Sequence, residues 1–199
     1  TEGGFLTAEQ REQLAGVFAR MECPLILKAE PDSRPVSEDL RRMLMELAAL
    51  TDKLTVEWTP PSDGPERPCV RVLRADGTDT GIAFHGVPGG HEFNSFVVGL
   101  YNAAGPGQSI DPALAEAIAA IDRPLDLQIV VALSCTMCPE LVIAAQKIAA
   151  SNPLVTAKVY DVNHFPELRE RYKIMSVPCL IINKAKVAFG KKTLGQLLE

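Results

Sequence analysis

The chain holds 199 residues, of which 47% are hydrophobic and 23% charged, with a net charge of −5 at neutral pH. That profile belongs to a soluble globular protein, long enough for one large domain or two of about 100 residues each. The acidic balance argues against nucleic acid or an anionic membrane as partner, and no apolar run approaches the roughly 18 residues of a membrane span.

The chain opens Thr-Glu-Gly-Gly, with neither the basic and apolar segments of a signal peptide nor an initiating Met, so processing or excision from something larger is expected. Five cysteines are an odd number, and only Cys135 and Cys138 sit close together. A secreted disulfide framework would usually pair them all, so the pattern points to a reducing compartment, the cytoplasm, with one working CxxC.

Thr7 opens the first predicted helix: Thr7-Ala8-Glu9-Gln10 has capping-box spacing, and Leu14, Val17 and Phe18 supply an apolar face. Leu25 to Leu27 is a short strand. Ser37 and Glu38 start a second helix with Leu40, Leu44, Leu47 and Leu50 on one side, and Leu54 to Trp58 reads as a strand. After a turn-rich stretch from Pro60 to Pro65, Cys69 to Leu73 and Ile82 to Phe84 form a hairpin across Ala75-Asp76-Gly77. A helix from about Glu92 to Ala103 closes this unit.

Gly105-Pro106-Gly107-Gln108-Ser109 reads as a linker, and Asp111 then caps a helix with Pro112 at its first position. The order repeats. Leu127 to Leu133 is a buried strand, Cys138 to Ala150 a helix, Val155 to Tyr160 a strand and Phe165 to Tyr172 a helix. Cys179 to Ile182 and Val187 to Phe189 pair across Asn183-Lys184, and Thr193 caps a last helix that the chain end truncates.

Both halves therefore run helix, strand, helix, strand, connection, strand, strand, helix. Pro68-Cys69-Val70-Arg71-Val72 answers Pro178-Cys179-Leu180-Ile181-Ile182. The pattern predicts an α/β protein of two tandem units, residues 1–107 and 108–199. One doubly wound sheet is the alternative, and it explains the paired Pro-Cys strands less well.

The segment that carries chemistry is Cys135-Thr136-Met137-Cys138-Pro139, placed after a buried strand and at the opening of a helix. Two intervening residues bring both sulfurs to the first helical turn, within bonding reach. The unpaired N–H groups and partial positive charge of a helix N-terminus favour a thiolate at the first cysteine. Cys135 is thus the expected exposed nucleophile and Cys138 the more buried resolving thiol, while Pro139 sits where its missing N–H costs little. Val177-Pro178 precedes a strand about 40 residues on. In thioredoxin-like folds this proline is cis and packs against the dithiol, leaving the loop backbone free to pair with a partner's strand. The combination predicts two tandem thioredoxin-like folds, only the second with a dithiol. At the matching junction the first half reads Glu30-Pro31-Asp32-Ser33-Arg34-Pro35 and holds no thiol, so that unit is scaffold or docking surface.

Other readings compete. CxxC serves as half of some zinc sites, but no second CxxC or spaced Cys/His pair completes one, so no metal is expected. Cys23, Cys69 and Cys179 read as buried apolar residues, although Cys179 follows the cis proline and so could lie beneath the dithiol. Met43 and Met45 read as helix packing, Glu167 to Glu170 as a solvated face and His164 as a surface residue at a helix start.

With these residues in view, the chain resembles the N-terminal region of the alkyl hydroperoxide reductase flavoprotein, a tandem thioredoxin-fold module joined to a thioredoxin-reductase-like flavin domain. The resemblance covers nearly the whole chain. It rests on Gly90-His91-Glu92-Phe93 with Ser95, on Leu133-Ser134-Cys135-x-x-Cys138-Pro139 and on Val177-Pro178. It implies a module that takes electrons from the flavin domain's own dithiol and reduces a peroxiredoxin. It also implies that Glu92 lies near the dithiol and tunes it; His91 beside it reads as a surface neighbour. Thr136-Met137 stands where the family usually has His-Asn. No Gly-x-Gly-x-x-Gly occurs, so no cofactor is expected in this chain, and FAD and NADH belong to the missing reductase domain. Alone, this chain is not expected to reduce peroxide.

Glu92 has a physical case of its own. Single thioredoxins carry a buried acid on the strand before the dithiol, whereas Leu127 to Leu133 offers only Gln128. A proton acceptor for Cys138 must come from elsewhere, and a Glu that starts a helix in the first unit is a candidate; the competing reading is that it merely favours its own helix N-terminus. The sequence thus supports a thiol–disulfide oxidoreductase module that relays electrons to a peroxiredoxin. The alternatives are a free-standing, glutaredoxin-like protein disulfide oxidoreductase, which would favour two active CxxC motifs, and a binding module with a structural disulfide.

Overall fold

The structure, a computed structural model, describes residues 6–190, 192 and 194–198. The first half contributes α1 (Ala8–Arg20), β1 (Leu25–Glu30), α2 (Val36–Ala48), β2 (Leu54–Trp58), β3 (Cys69–Arg74), β4 (Asp79–His85) and α3 (Glu92–Ala104). The second contributes α4 (Pro112–Ala119), β5 (Leu125–Val131), α5 (Cys138–Ser151), β6 (Val155–Asp161), α6 (Glu167–Arg171), β7 (Cys179–Ile182), β8 (Lys186–Phe189) and α7 (Leu194–Leu197).

The strands lie in one sheet, in the order β2-β1-β3-β4-β6-β5-β7-β8. In each half a central strand runs parallel to one neighbour (β1 to β2, β5 to β6) and antiparallel to the other (β3 or β7), and a hairpin completes the set. This is an α/β thioredoxin-like arrangement, and the same strand order occurs twice. The seam between the halves has no signature in the sequence: β4 pairs in parallel with β6, from Ile82 opposite Ala157 to His85 opposite Tyr160. The halves therefore share one sheet.

That pairing places β5 and β6 inside the sheet, and the apolar run read from Leu127 fits a strand covered on both faces: Ile129 and Val131 pack on one side and Val130 on the other. One face carries a core that runs through both halves, with Phe18 of α1, Leu40 and Leu44 of α2, Phe96 and Leu100 of α3, and Leu141 and Ile148 of α5. The other holds Val130, Tyr160, Phe165, Cys179 and Ile181. The seam is also pinned by polar groups. The buried His85 ring stacks on Tyr160 at 4.2 Å. Its Nδ1–H donates to the Glu66 carbonyl at 2.6 Å, and the Tyr160 hydroxyl donates to the Glu66 carboxylate at 2.6 Å. Burial pushes the His85 pKa down to about 4, so the ring is neutral near pH 7.

The first half's strand–helix junction is occupied by a guanidinium instead of thiols. Arg34 donates from Nε to Asp32 at 2.6 Å, from Nη1 to the His164 carbonyl at 2.9 Å and from Nη2 to the Arg67 carbonyl at 2.8 Å. Its Cζ lies 5.7 Å from the centre of the Phe165 ring. A junction without a dithiol thereby ties the first half to the β6–α6 connection of the second.

Several local expectations are corrected. Helix α2 begins at Val36, one residue ahead of the expected start, and the Ser37 hydroxyl donates to the buried Asp32 carboxylate at 2.6 Å. Leu50 falls beyond its end, and only Met43 packs inward while Met45 is half exposed. Strand β5 ends at Val131, which leaves Leu133 in the loop before Cys135. Helix α6 shrinks to Glu167–Arg171, because Phe165 is drawn into the second core face and Pro166 stands at the N-cap. Cys23 is exposed, since it lies in the turn between α1 and β1, where its N–H donates to the Ala104 carbonyl. Cys69 and Cys179 are buried. The capping box at Thr7 and the Asp111–Pro112 helix start are as expected. Thr193 lies outside the described residues.

Candidate active site

Cys135 and Cys138 are bonded to each other, with their Cα atoms 5.6 Å apart. The loop from β5 delivers Cys135 to the edge of α5, and Cys138 is the first residue of that helix, with Pro139 in its first turn. Cys135 is half-buried and Cys138 is fully buried. Thr136 and Met137 are exposed between them. The asymmetry follows from the helix start: the residue before the first turn faces outward, and the first helical residue turns into the core. The Val177 carbonyl oxygen lies 4.0 Å from Cys135 Sγ. The Val177–Pro178 bond is cis, as is Arg67–Pro68 at the matching place of the first half. Val177 is half-buried and Pro178 buried.

Cys179, directly after that proline, packs with Val130, Tyr160 and Ile181, and burial pushes its thiol up to about 11. It is core, like Cys69, whose thiol burial pushes up to about 12. Neither thiol ionises near neutral pH.

Glu92 is the first residue of α3 and has no exposed surface. Its Oε1 accepts the Ser95 hydroxyl at 2.5 Å, whereas Oε2 is buried without a hydrogen-bond partner. Burial pushes its pKa up to about 7, against the opposing pull of the Ser95 bond. His91, the N-cap, is exposed, and its backbone N–H donates to the Leu133 carbonyl at 2.9 Å.

Two glycines permit the contact between α3 and the dithiol segment. Gly90 has φ +53°, and a Cβ there would meet the Leu133 carbonyl oxygen at 2.6 Å. A Cβ on Gly99 would meet Gln146 Nε2 of α5 at 2.7 Å. With Gly90 and His91 against Leu133 and Gly99 against Gln146, α3 and α5 lie side by side with their first turns adjacent. Glu92 opens one helix and Cys138 the other. Gly90→Ala combines a positive φ with a backbone collision at Leu133, just ahead of Cys135. It is expected to lower stability by about 1–3 kcal/mol in denaturant melts.

Sequence reasoning missed Gln146, whose apolar neighbours on α5 hide it, and Asp126, which falls on β5 once the strand starts at Leu125. Asp126 sits at the far end of that strand from Cys135, 3.7 Å from Lys158 and accepting the Thr156 hydroxyl. The buried Asp161 faces the seam, where a Cβ on Gly86 would lie 3.1 Å from its own Cβ. Gln128 is buried with Oε1 unpartnered. Among the described residues, no group of three or more His, Cys, Asp or Glu side chains is arranged to hold a metal ion. No helix among them is long and apolar enough to cross a membrane.

A repeated thioredoxin-like sheet with a CxxC disulfide at a strand–helix junction beside a cis proline defines a thioredoxin-fold protein of disulfide oxidoreductase type. Comparison with known proteins agrees. The thioredoxin domain family matches residues 125–199. The N-terminal domain of alkyl hydroperoxide reductase AhpF from Enterococcus faecalis superposes with a TM-score of 0.90 at 36% identity, covering 97% of this chain and 98% of that one. The corresponding AhpF protein of Pseudomonas aeruginosa is 30% identical over 97% of this chain. A protein disulfide oxidoreductase from Aeropyrum pernix shares the fold, with a TM-score of 0.82 at 20% identity over 96% of this chain and 90% of its own. The chain belongs to the family of the N-terminal domain of alkyl hydroperoxide reductase AhpF. It spans 36–37% of the length of the curated relatives it matches.

Proposed function

We propose that this chain is a dithiol–disulfide electron-transfer module, cytoplasmic, which accepts two electrons from the dithiol of a flavoprotein reductase portion and delivers them to a peroxiredoxin. The observation that carries it is the asymmetric disulfide, half-buried at Cys135 and fully buried at Cys138, at the start of α5 beside Val177–Pro178. In this reading residues 108–199 do the thiol chemistry, and residues 1–107 supply Glu92 and a docking surface.

The step is a pair of exchanges. Reduced Cys135, as thiolate, attacks a sulfur of the partner's disulfide; that S–S bond breaks and a mixed disulfide forms. Glu92 Oε2, the unpartnered oxygen, takes the proton of the Cys138 thiol, and the resulting thiolate attacks Cys135 Sγ. The partner leaves with both electrons and takes up protons, and the Cys135–Cys138 bond reforms. Val177 and the exposed Thr136 and Met137 frame the approach of the partner's chain. Pro139 and His91 hold the two helix starts.

FAD and NADH belong, in this proposal, to the reductase portion. The character of the cleft of about 450 Å³ at the first junction supports that assignment. Asp32, Asp63 and Glu167 line it, and its Arg34 already binds Asp32 and two carbonyl groups. A protein of residues 108–199 tests the division of labour. It is expected to keep a reducible disulfide but to reduce peroxiredoxin slowly. Undiminished transfer would remove the role given to residues 1–107.

A further inference from the structure

Glu92 is buried with one of its two oxygens held and the other free, and the group that creates this difference is a single hydroxyl. The Ser95 side chain is itself buried, with Oγ 2.5 Å from Glu92 Oε1 and 2.9 Å from the Glu92 main-chain oxygen. A hydroxyl has one proton to give. The main-chain oxygen already takes the helical bond of its own turn, so a charged Oε1 is the stronger claim on that proton. The Ser95 carbonyl is fixed from the other side: Gln146 Nε2, on the helix that Cys138 opens, donates to it at 2.8 Å. Gln146 has no exposed surface and reaches this carbonyl past Gly99, where any Cβ would collide with its amide.

We propose that Ser95 is a positioning residue for Glu92: its hydroxyl holds Oε1 and leaves Oε2 as the oxygen that exchanges protons, while Gln146 ties this arrangement to the dithiol helix. The inference deepens the role given above to Glu92 and rests on it only where disulfide exchange is concerned. It accounts for a serine at a buried helical position where alanine would pack as well and favour the helix more. It also explains why Oε1 and Oε2 differ: the oxygen that accepts no hydrogen bond is the more basic of the two and the readier site for a proton.

The test is a pH titration of the Glu92 carboxyl carbon by NMR in the oxidised 199-residue chain labelled with ¹³C-glutamate, with Glu92→Gln to assign the resonance. Ser95→Ala removes a bond that favours the carboxylate, so the Glu92 midpoint is expected to rise by about one to two pH units. Ser95→Thr keeps the hydroxyl and is expected to restore it. An unchanged midpoint in Ser95→Ala overturns the proposal. If Ser95→Ala does not fold, Ser95→Cys, a weaker donor, is expected to raise the midpoint, and no rise again overturns it. The pH profile of disulfide exchange is read in parallel. A Glu92 midpoint that moves while the exchange profile stays fixed supports the hold of Ser95 on Glu92 and removes Glu92 from the thiol chemistry.

Discussion

Cys135→Ser is expected to bring disulfide exchange down to background, and Cys138→Ser to stop turnover at a stable mixed disulfide. The two cysteines are equivalent in the covalent bond but not in the fold. Cys135 is half-buried next to the Val177 carbonyl, where a partner's sulfur has access. Cys138 is sealed inside the first turn of α5. Without Cys135 the dithiol keeps only the buried Cys138, and the Cys69 and Cys179 thiols are buried and pushed up to about 12 and 11. Cys23 is exposed but lies in the α1–β1 turn, without a second thiol to resolve what it attacks. Without Cys138, attack by Cys135 still occurs, but nothing releases the partner. Gel analysis after acid quenching and alkylation reads both outcomes. Mixed disulfides through Cys138 in Cys135→Ser, or none in Cys138→Ser, would reverse the assignment.

Glu92→Gln is expected to change both rate and stability, each with a defined pH dependence. The folded protein holds the Glu92 proton up to about pH 7, whereas the unfolded chain gives it up near 4.5. Between these values the native state binds more protons than the unfolded state, so stability falls as pH rises. The stability tied to the neutral acid is complete below about pH 4.5 and gone above about pH 7. Glutamine is isosteric, still accepts the Ser95 hydroxyl and never ionises. Glu92→Gln is therefore expected to match the wild type near pH 4.5 and to exceed it by about 3 kcal/mol above pH 7. Denaturant melts at a series of pH values read this directly. The rate moves the other way. Loss of the carboxylate removes the proton acceptor for Cys138, and exchange above about pH 7 is expected to slow by about 100-fold or more. Removal of a like charge is also expected to lower the pKa of a dithiol cysteine. Equal stability at all pH values would mean that the carboxylate is not desolvated.

The legibility of this molecule follows the reach of its interactions. Short-range signals are written in the chain: the Thr7 capping box, Pro112 behind Asp111, the Asn183–Lys184 turn with both residues at positive φ, and CxxC at a helix start. The Pro-Cys repeat gives away the duplicated strand order, because the same element must follow each cis proline. Long-range features are not legible. Pairing of β4 with β6 depends on two edges that look alike in any parallel sheet, and nothing local marks His85 and Tyr160 as partners. Cys23 and Met45 read as apolar core by residue type, but a turn and the outer side of α2 leave them exposed. Glu92 stands out in the sequence because the strand before the dithiol lacks a suitable acid. Its buried setting, with Ser95 on one oxygen and none on the other, emerges only with α3 and α5 side by side.

The most direct measurement is electron transfer in a single turnover. The reduced 199-residue chain is mixed with an equimolar disulfide-form peroxiredoxin, and both proteins are quenched in acid, alkylated and weighed by mass spectrometry. One Cys135–Cys138 disulfide formed for each peroxiredoxin disulfide lost, fast in the wild type and absent in Cys135→Ser, is the predicted result. A Cys135–Cys138 bond that stays oxidised in buffers poised below about −300 mV, where structural disulfides persist, and a reduced chain that leaves the peroxiredoxin disulfide intact would contradict it.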